Sequence, residues 1–295
     1  MIVGIIGYGL QGQRREQALP PEDEIYVSDP NVNDVPADYA IRHSDYVIIS
    51  TPNNLLARYA TMAAELDRPF LLEKPGARSV KELEGIPTSA DCTVAYTLRH
   101  HPAMVKAKEL LPSLGEILHI RAHYGHGGRP GYEKEWRMNP DISGGGQLID
   151  QGSHLIDLVY WFTGFDKFDT INANLRREYW DCKGEDNAFV SLGYDKFVAW
   201  LHTSCTEWKN SFGFEIFCKE GKVAITGLGG SYGPETITVC KPDGTPLLEQ
   251  QFDTTYIWED EWQAFLDCHG ATLQDAKKVL EVTDYIYRFS TDKSH

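Results

Sequence analysis

The sequence is short of positive charge: 28 Lys and Arg stand against 43 Asp and Glu over 295 residues, a formal charge of −15. A nucleic-acid duplex presents a phosphate charge about every 1.7 Å along its axis and needs a basic face to meet it. Nucleic acid and anionic membrane surfaces are therefore not expected as partners. Cysteine is sparse too. Cys92, Cys182, Cys205, Cys218, Cys240 and Cys268 are scattered with no C-x-x-C pair, which suggests neither a zinc knuckle nor a dense disulfide framework. No apolar run approaches the ~18 residues of a membrane helix. The chain opens on an apolar stretch with neither a basic leader nor a small-residue cleavage pattern, so a cytoplasmic location is the expectation. What is present, 42% hydrophobic and 24% charged residues, is the composition of a folded globular protein of one or two domains.

The first hundred residues alternate short β-branched runs with longer amphipathic stretches, the pattern of a parallel sheet with crossover helices. Strands are predicted at Ile2–Ile6, Ile25–Ser28, Tyr46–Ser50, Phe70–Leu72 and Thr93–Tyr96, and helices at Gln11–Ala18 and Leu55–Leu66. Residues 30–40, rich in Pro, Asp and Asn, receive no assignment. From about Thr97 the texture becomes α+β. Helices are predicted at Pro102–Leu111 and Gln147–Phe162, and strands at Glu116–Tyr124, Thr170–Tyr179, Asn187–Gly193, Phe197–Cys205, Phe212–Cys218, Lys222–Thr226 and Thr236–Val239. Two last helices follow, at Asp260–Cys268 and Leu273–Phe289. The reading is an α/β chain, with a doubly wound parallel sheet of the Rossmann type over residues 1–97 and an α+β domain over residues 98–295.

Gly7-Tyr8-Gly9-Leu10-Gln11-Gly12 is a G-x-G-x-x-G run between a predicted strand and a predicted helix. The first Gly permits a tight turn, the second lets backbone approach a pyrophosphate, and the third lets helix and strand pack closely, while the helix N-terminus offers free N–H groups. Asp29 lies 22 residues beyond Gly7, where a carboxylate accepts hydrogen bonds from an adenosine ribose and repels a 2′-phosphate. NAD is favoured over NADP. Arg14 and Arg15 either reach a phosphate or are exposed helix charges.

Glu73-Lys74-Pro75 puts a charged pair at the C-terminal end of an apolar strand, where open parallel sheets bind ligands. A second cluster, residues 143–157, begins with three glycines that permit close approach of a ligand at a helix start. Asp150 and His154 then share one helix face four residues apart, with Gln147 and Asp157 near it. Histidine is a natural proton acceptor at neutral pH, and a carboxylate one turn away orients it; the alternative is an ordinary surface pair. His119, His123 and His126 are read as polar strand residues, and no metal site is expected. Trp200, Trp208, Phe212, Phe214 and Phe217 are assigned to sheet-face packing or a subunit interface.

Together the Gly7 loop, Thr51-Pro52-Asn53, Glu73-Lys74-Pro75, the segment from Arg99 to Pro102, Trp136-Arg137 and the segment from Gly144 to Asp157 resemble the Gfo/Idh/MocA oxidoreductases. The match runs in order through roughly the first 165 residues. The resemblance implies a C-terminal domain with a large, open, mostly antiparallel sheet that binds substrate and whose outer face makes homodimer or homotetramer contacts. It implies Lys74, Asp150 and His154 as the catalytic trio and a cis bond before Pro75. Cofactor contacts fall to Gly7, Gly9, Leu10, Gln11, Gly12, Asp29, Thr51, Pro52, Asn53, Glu73 and Lys74, and substrate contacts to Arg99, Trp136, Arg137, Gln147, Asp150 and His154. The implied activity is hydride transfer between a nicotinamide cofactor and a hydroxyl or keto carbon of a sugar, nucleotide-sugar or cyclitol. The rivals are a dinucleotide-binding regulator and a glycoside hydrolase that works by transient oxidation. Leu56, Ala95 and Thr97 stand where the family often has His, Gly and Asn, which leaves the substrate's identity open.

Overall fold

Five short strands, β1 (Ile2–Ile6), β2 (Glu24–Ser28), β3 (Tyr46–Ile49), β4 (Phe70–Glu73) and β5 (Cys92–Ala95), pair in parallel in the order β2-β1-β3-β4-β5. β1, β3 and β4 are buried over almost their whole length, as strands covered on both faces must be. The connections are α1 (Leu10–Gln17), α2 (Ala37–Arg42), α3 (Asn53–Glu65) and α4 (Val80–Leu83). The end of β1 thus lies between β2 and β3, at the switch point where an open parallel sheet binds ligands. This is a computed structural model describing residues 1–33 and 35–289. The stretch without a sequence assignment contains α2, entered through Pro36, and among its described residues no strand.

The second sheet has eight strands. After α5 (Pro102–Leu110) come β6 (Ile117–Gly125), α6 (Pro140–Ser143) and α7 (Ser153–Thr163). Then follow β7 (Thr170–Arg176), β8 (Asn187–Tyr194), β9 (Phe197–Ser204), β10 (Ser211–Cys218), β11 (Gly221–Thr226), β12 (Glu235–Cys240) and β13 (Pro246–Phe252). Their order is β13-β12-β11-β10-β6-β9-β8-β7, and every pair is antiparallel except β6 with β9. That single parallel pair has a consequence for function. The loops at residues 126–146, 177–186, 205–210 and 227–234 all leave one end of the sheet. β13 has no sequence signal because it is an exposed edge strand, polar over Glu249-Gln250-Gln251, with no core face to impose alternation.

Two compact units result. One holds residues 1–97, 141–144 and 256–281; the other holds 98–140, 145–255 and 282–289. The expected second domain, residues 98–295, includes 141–144 and 256–281, which cluster with the first unit, and its residues 290–295 lie outside the described residues. The physical reason is α8 (Ile257–Leu266). Its Trp262 and Phe265 complete the first unit's core with Val3, Ile5, Leu19, Ile48, Leu71 and Ala95. A bridge from Ala271 to Val94 fixes the same segment before the last helix, α9 (Leu273–Phe289).

Candidate active site

In the first unit β1 delivers Gly7 at φ +89°, its N–H donating to Ser28 O at 2.9 Å. A Cβ there would lie 2.8 Å from the Ser50 carbonyl oxygen, and one on Gly12 would lie 2.3 Å from Gly7 O. Those two glycines are demanded by the protein's own packing. Gly9 is different: nothing stands within 4 Å of where its Cβ would be. It precedes α1, whose N-terminus has no side-chain cap and leads with the exposed Leu10 and the half-buried Gln11. Asp29 closes the loop, accepting from the Tyr8 N–H at 2.7 Å and the Asn31 N–H at 2.8 Å. Thr51 and Pro52 start α3. Thr51 Oγ1 is buried without a hydrogen-bond partner, and the buried Asn53 amide donates to Ser143 O at 2.8 Å. An open glycine, free helix N–H groups, a carboxylate at the end of β2 and an orphaned hydroxyl fit a dinucleotide.

Arg15 is neither a phosphate ligand nor an exposed helix charge. It is buried, with two N–H groups on Glu73 Oε1 at 2.9 and 2.7 Å and a third on Glu261 Oε2 at 2.5 Å. Thr97 Oγ1 donates to that same Glu261 oxygen at 2.9 Å, and Trp258 lies over the guanidinium. Two carboxylates hold Arg15 charged well above its ordinary value despite burial. Glu73, expected at the cofactor, spends its carboxylate on this anchor. Lys74 follows it, half-buried, with a cis bond to Pro75.

In the second unit the helix bearing Asp150 and His154 does not start as a regular α-helix. Leu148–Gly152 is a π-turn, and α7 begins only at Ser153; such turns concentrate at functional sites. The glycines before it do not leave room for a ligand, as their sequence suggested. A Cβ on Gly145 would lie 2.0 Å from Tyr287 Oη, and one on Gly146 would lie 2.2 Å from Glu185 O. The Glu185 carboxylate accepts from the N–H groups of Gly146 at 3.0 Å and Leu148 at 2.9 Å and from Tyr287 Oη at 2.7 Å. Tyr287 Oη accepts from the Ile149 N–H at 3.2 Å. This helix start is capped from within. Burial raises the pKa of Glu185 although those hydrogen bonds oppose it.

Around Asp150 and His154 the unit collects aromatics and one guanidinium. Arg137 stacks on Trp136 and lies 3.8 Å from both Asp150 and Glu135, so the pair is half-buried at the site's edge. The Tyr124 ring lies 6.0 Å from His154 and 5.5 Å from Tyr232. Burial pushes the Tyr232 phenol up to about 12, while hydrogen bonds with Tyr124 and Gln151 pull the other way. Tyr124 and Tyr232 escaped the sequence reading, though Gly227-Leu-Gly-Gly-Ser-Tyr-Gly, with four glycines at positive φ, was a visible signal of a built loop.

Two expected substrate contacts already have partners within the protein. Gln147 is fully buried, donating to Tyr132 Oη at 3.2 Å, and so braces the site from behind. Arg99 is spent on the buried Asp157, with hydrogen bonds of 2.9 and 2.6 Å. His101 pairs with the buried Glu235 and His119 stacks on Phe217. His126 accepts from the Gly128 N–H at 3.0 Å and lies 3.2 Å from Tyr132 Oη. Among the described residues no group of three His, Cys, Asp or Glu side chains is placed to hold a metal ion. Phe212 and Phe214 are core, Trp200 is exposed on the sheet, and Trp208 sits in a loop instead of on a strand.

Residues 104–224 match the GFO/IDH/MocA C-terminal domain. D-xylose 1-dehydrogenase [NADP(+)] of Haloarcula marismortui is 26% identical over 76% of this chain and 64% of its own length. Levoglucosan dehydrogenase of Pseudarthrobacter phenanthrenivorans is 33% identical over 44% of this chain and 35% of its own. The chain thus covers less than two thirds of either relative. A solved levoglucosan dehydrogenase in complex with NADH and levoglucosan superposes with a TM-score of 0.81 at 20% identity, over 98% of this chain and 96% of that one; that likeness is one of fold. Among the described residues no helix is long and apolar enough to cross a membrane.

Proposed function

We propose that this chain is a GFO/IDH/MocA oxidoreductase, a nicotinamide-dependent dehydrogenase or ketoreductase acting on a hydroxyl or keto carbon of a sugar, nucleotide-sugar or cyclitol. One observation carries the reading. A single chain joins an open, uncapped glycine loop backed by Asp29 to an acid and an imidazole on a π-turn. The relatives' names, a xylose and a levoglucosan dehydrogenase, agree with it. Gly7, Gly9, Leu10, Gln11, Gly12, Asp29 and Thr51 to Asn53 would hold the dinucleotide. NAD is preferred because the Asp29 carboxylate would face a 2′-phosphate, and Asn31, Val32 and Asn33 offer no cation beside it. The homologue named for NADP(+) makes this preference a point to test.

The bound cofactor supplies hydride acceptance and return. In the oxidative direction the His154 imidazole takes the proton of the reacting hydroxyl. Asp150, held by Arg137, keeps that imidazole oriented. The Lys74 ammonium hydrogen-bonds the reacting oxygen and stabilises developing alkoxide charge, a contact whose loss costs about 10² to 10³ in rate. Trp136 and Arg137 border the substrate. The outer sheet face, where Trp200 is 61% and Phe189 47% exposed, is the surface for a homodimer or homotetramer. Six free thiols suit a cytoplasmic location.

Turnover of a sugar and cyclitol panel, read as NAD reduction and NADH oxidation, tests this. Lys74→Ala and His154→Ala should each lose about 10²-fold or more in kcat while NADH binding, followed by fluorescence, persists. Near wild-type turnover in either variant would remove that residue from the mechanism.

A further inference from the structure

A helix leaves its first four N–H groups without partners inside the helix, and the one that carries Asp150 and His154 has no side-chain cap of its own. Its orphaned donors go instead to two residues far along the chain. Gly146 N–H donates to Glu185 Oε2 at 3.0 Å, Gln147 N–H to Glu185 O at 3.0 Å, Leu148 N–H to Glu185 Oε1 at 2.9 Å and Ile149 N–H to Tyr287 Oη at 3.2 Å. Asp150 N–H is the first of the series to bond within the helix, to Gly146 O at 3.1 Å. The Tyr287 hydroxyl donates in turn to Glu185 Oε1 at 2.7 Å, so carboxylate and phenol form one clamp. From β9, Thr203 Oγ1 donates to Gln147 O at 3.2 Å. Glu185 is buried, two residues before β8. Gly184 beside it lets the two segments close on each other, since a Cβ there would lie 3.0 Å from Gly146 Cα.

Satisfying backbone donors does not require a clamp of this kind. A local cap, a Ser or Asp at the first residue, serves an ordinary α-helix and moves with it. Here the donors are tied to the sheet, at the entrance of β8 and at β9, and Leu148–Gly152 winds as a π-turn. A π-turn takes in one residue more than an α-turn, so the chain before it stands rotated by roughly 100° against the helix beyond it, compared with an unbroken α-helix. Asp150 lies within the turn and His154 beyond it. Loss of the turn would therefore rotate Asp150 relative to His154. We propose that Glu185, backed by Tyr287, is the positioning residue of the reacting centre: it holds the π-turn and thereby sets where Asp150 stands against His154. The proposal rests on the dehydrogenase reading for the chemistry it serves, and Glu185 acts through Asp150 instead of on the substrate.

Two variants test it. Glu185→Gln keeps the shape but sets an amide N–H₂ against a backbone N–H, and Tyr287→Phe removes only the hydroxyl. Both are assayed well below their melting temperatures on the sugar and cyclitol panel with NAD, and compared by NMR of the His154 imidazole, which needs no substrate. Glu185→Gln should lower kcat about 10²-fold, the cost of a misplacement of about 1 Å, while KM and the NADH Kd stay within about twofold. Tyr287→Phe should show the same split with a kcat loss of about three- to tenfold. In the wild type, Asp150→Asn should move the His154 titration midpoint by about half a pH unit or more, and in the Glu185→Gln background by less than about half as much. Wild-type kcat in folded Glu185→Gln, or in Tyr287→Phe should Glu185→Gln fail to fold, overturns the positioning role. Losses of kcat, KM and NADH affinity that all track a fallen Tm overturn it as well, as those of a plain structural contact. So does a His154 midpoint that ignores Asp150 in the wild type, which leaves nothing to position. If no member of the panel is oxidised, the dehydrogenase reading falls by itself: a diminished Asp150–His154 coupling in Glu185→Gln still supports the positioning role, and an undiminished one overturns it.

Discussion

The glycines at positions 7, 9 and 12 and those at 144, 145 and 146 present the same sequence signal, small residues at the start of a helix, and the structure gives them opposite uses. At the first cluster the middle position opens on empty space and the helix N-terminus has no side-chain cap. At the second the space is filled from within, by Arg78 against Gly144, by Tyr287 against Gly145 and by Glu185 against Gly146. A buried carboxylate and a phenol sit where an anionic ligand would sit at the first. Glycine therefore reports that something approaches closely; only the fold says whether it is a ligand or the chain itself.

The sharpest way to break this comparison is a methyl group in each loop. Gly145→Ala forces a carbon against Tyr287 and should cost about 3 kcal/mol or more, lowering Tm by ~2–4 °C per kcal/mol for a chain of this size. A Tm within about 2 °C of wild type would show the second cluster to have slack. Gly9→Ala meets no protein atom, so the Tm of the protein without cofactor should hold, whereas NADH affinity should fall about tenfold or more because that Cβ intrudes where backbone approaches the pyrophosphate. If Gly9→Ala instead binds NADH normally, the first cluster is no more a ligand loop than the second. The smallest effect is on pH. Burial lowers the pKa of His123, His126 and His202 below the ordinary histidine value, and Gly128 N–H donates to the His126 ring. A depressed pKa in the folded state gives stability that is present above about pH 6.5 and lost as pH falls below it. Thermal melts should therefore lose a few degrees, roughly one kcal/mol's worth, between pH 7.5 and 5.5. His126→Asn should flatten that slope, and an unchanged slope would remove His126 from the account.

How much of the site was readable varies residue by residue. The Gly7 loop and Asp29 were legible because their partners lie one strand away and the motif fixes its own geometry. Arg15 was not: its carboxylates are 58 and 246 residues distant, and no local pattern shows that Glu73 and Glu261 converge on one guanidinium. Gln147 looked like a substrate contact because it shares a helix face with Asp150, but the face is set by a π-turn and Tyr132 that sequence spacing does not reveal. Tyr232 reaches Tyr124 only because β6, β10, β11 and β12 are neighbours in the sheet.

By itself the sequence determined the elements. Runs apolar on both sides made the parallel strands, glycine spacing made the first loop, and an excess of acidic residues set the expectation against a polyanionic partner, each through forces that act within a few residues or through net charge. Tertiary structure decided the rest: which unit α8 completes, which helix N-terminus is left open, which arginine is buried, and which aromatic rings remain exposed at the loop-bearing end of the sheet. Those are contests between packing and hydration among residues tens to hundreds of positions apart, and they are settled only when the sheet orders bring the contestants together.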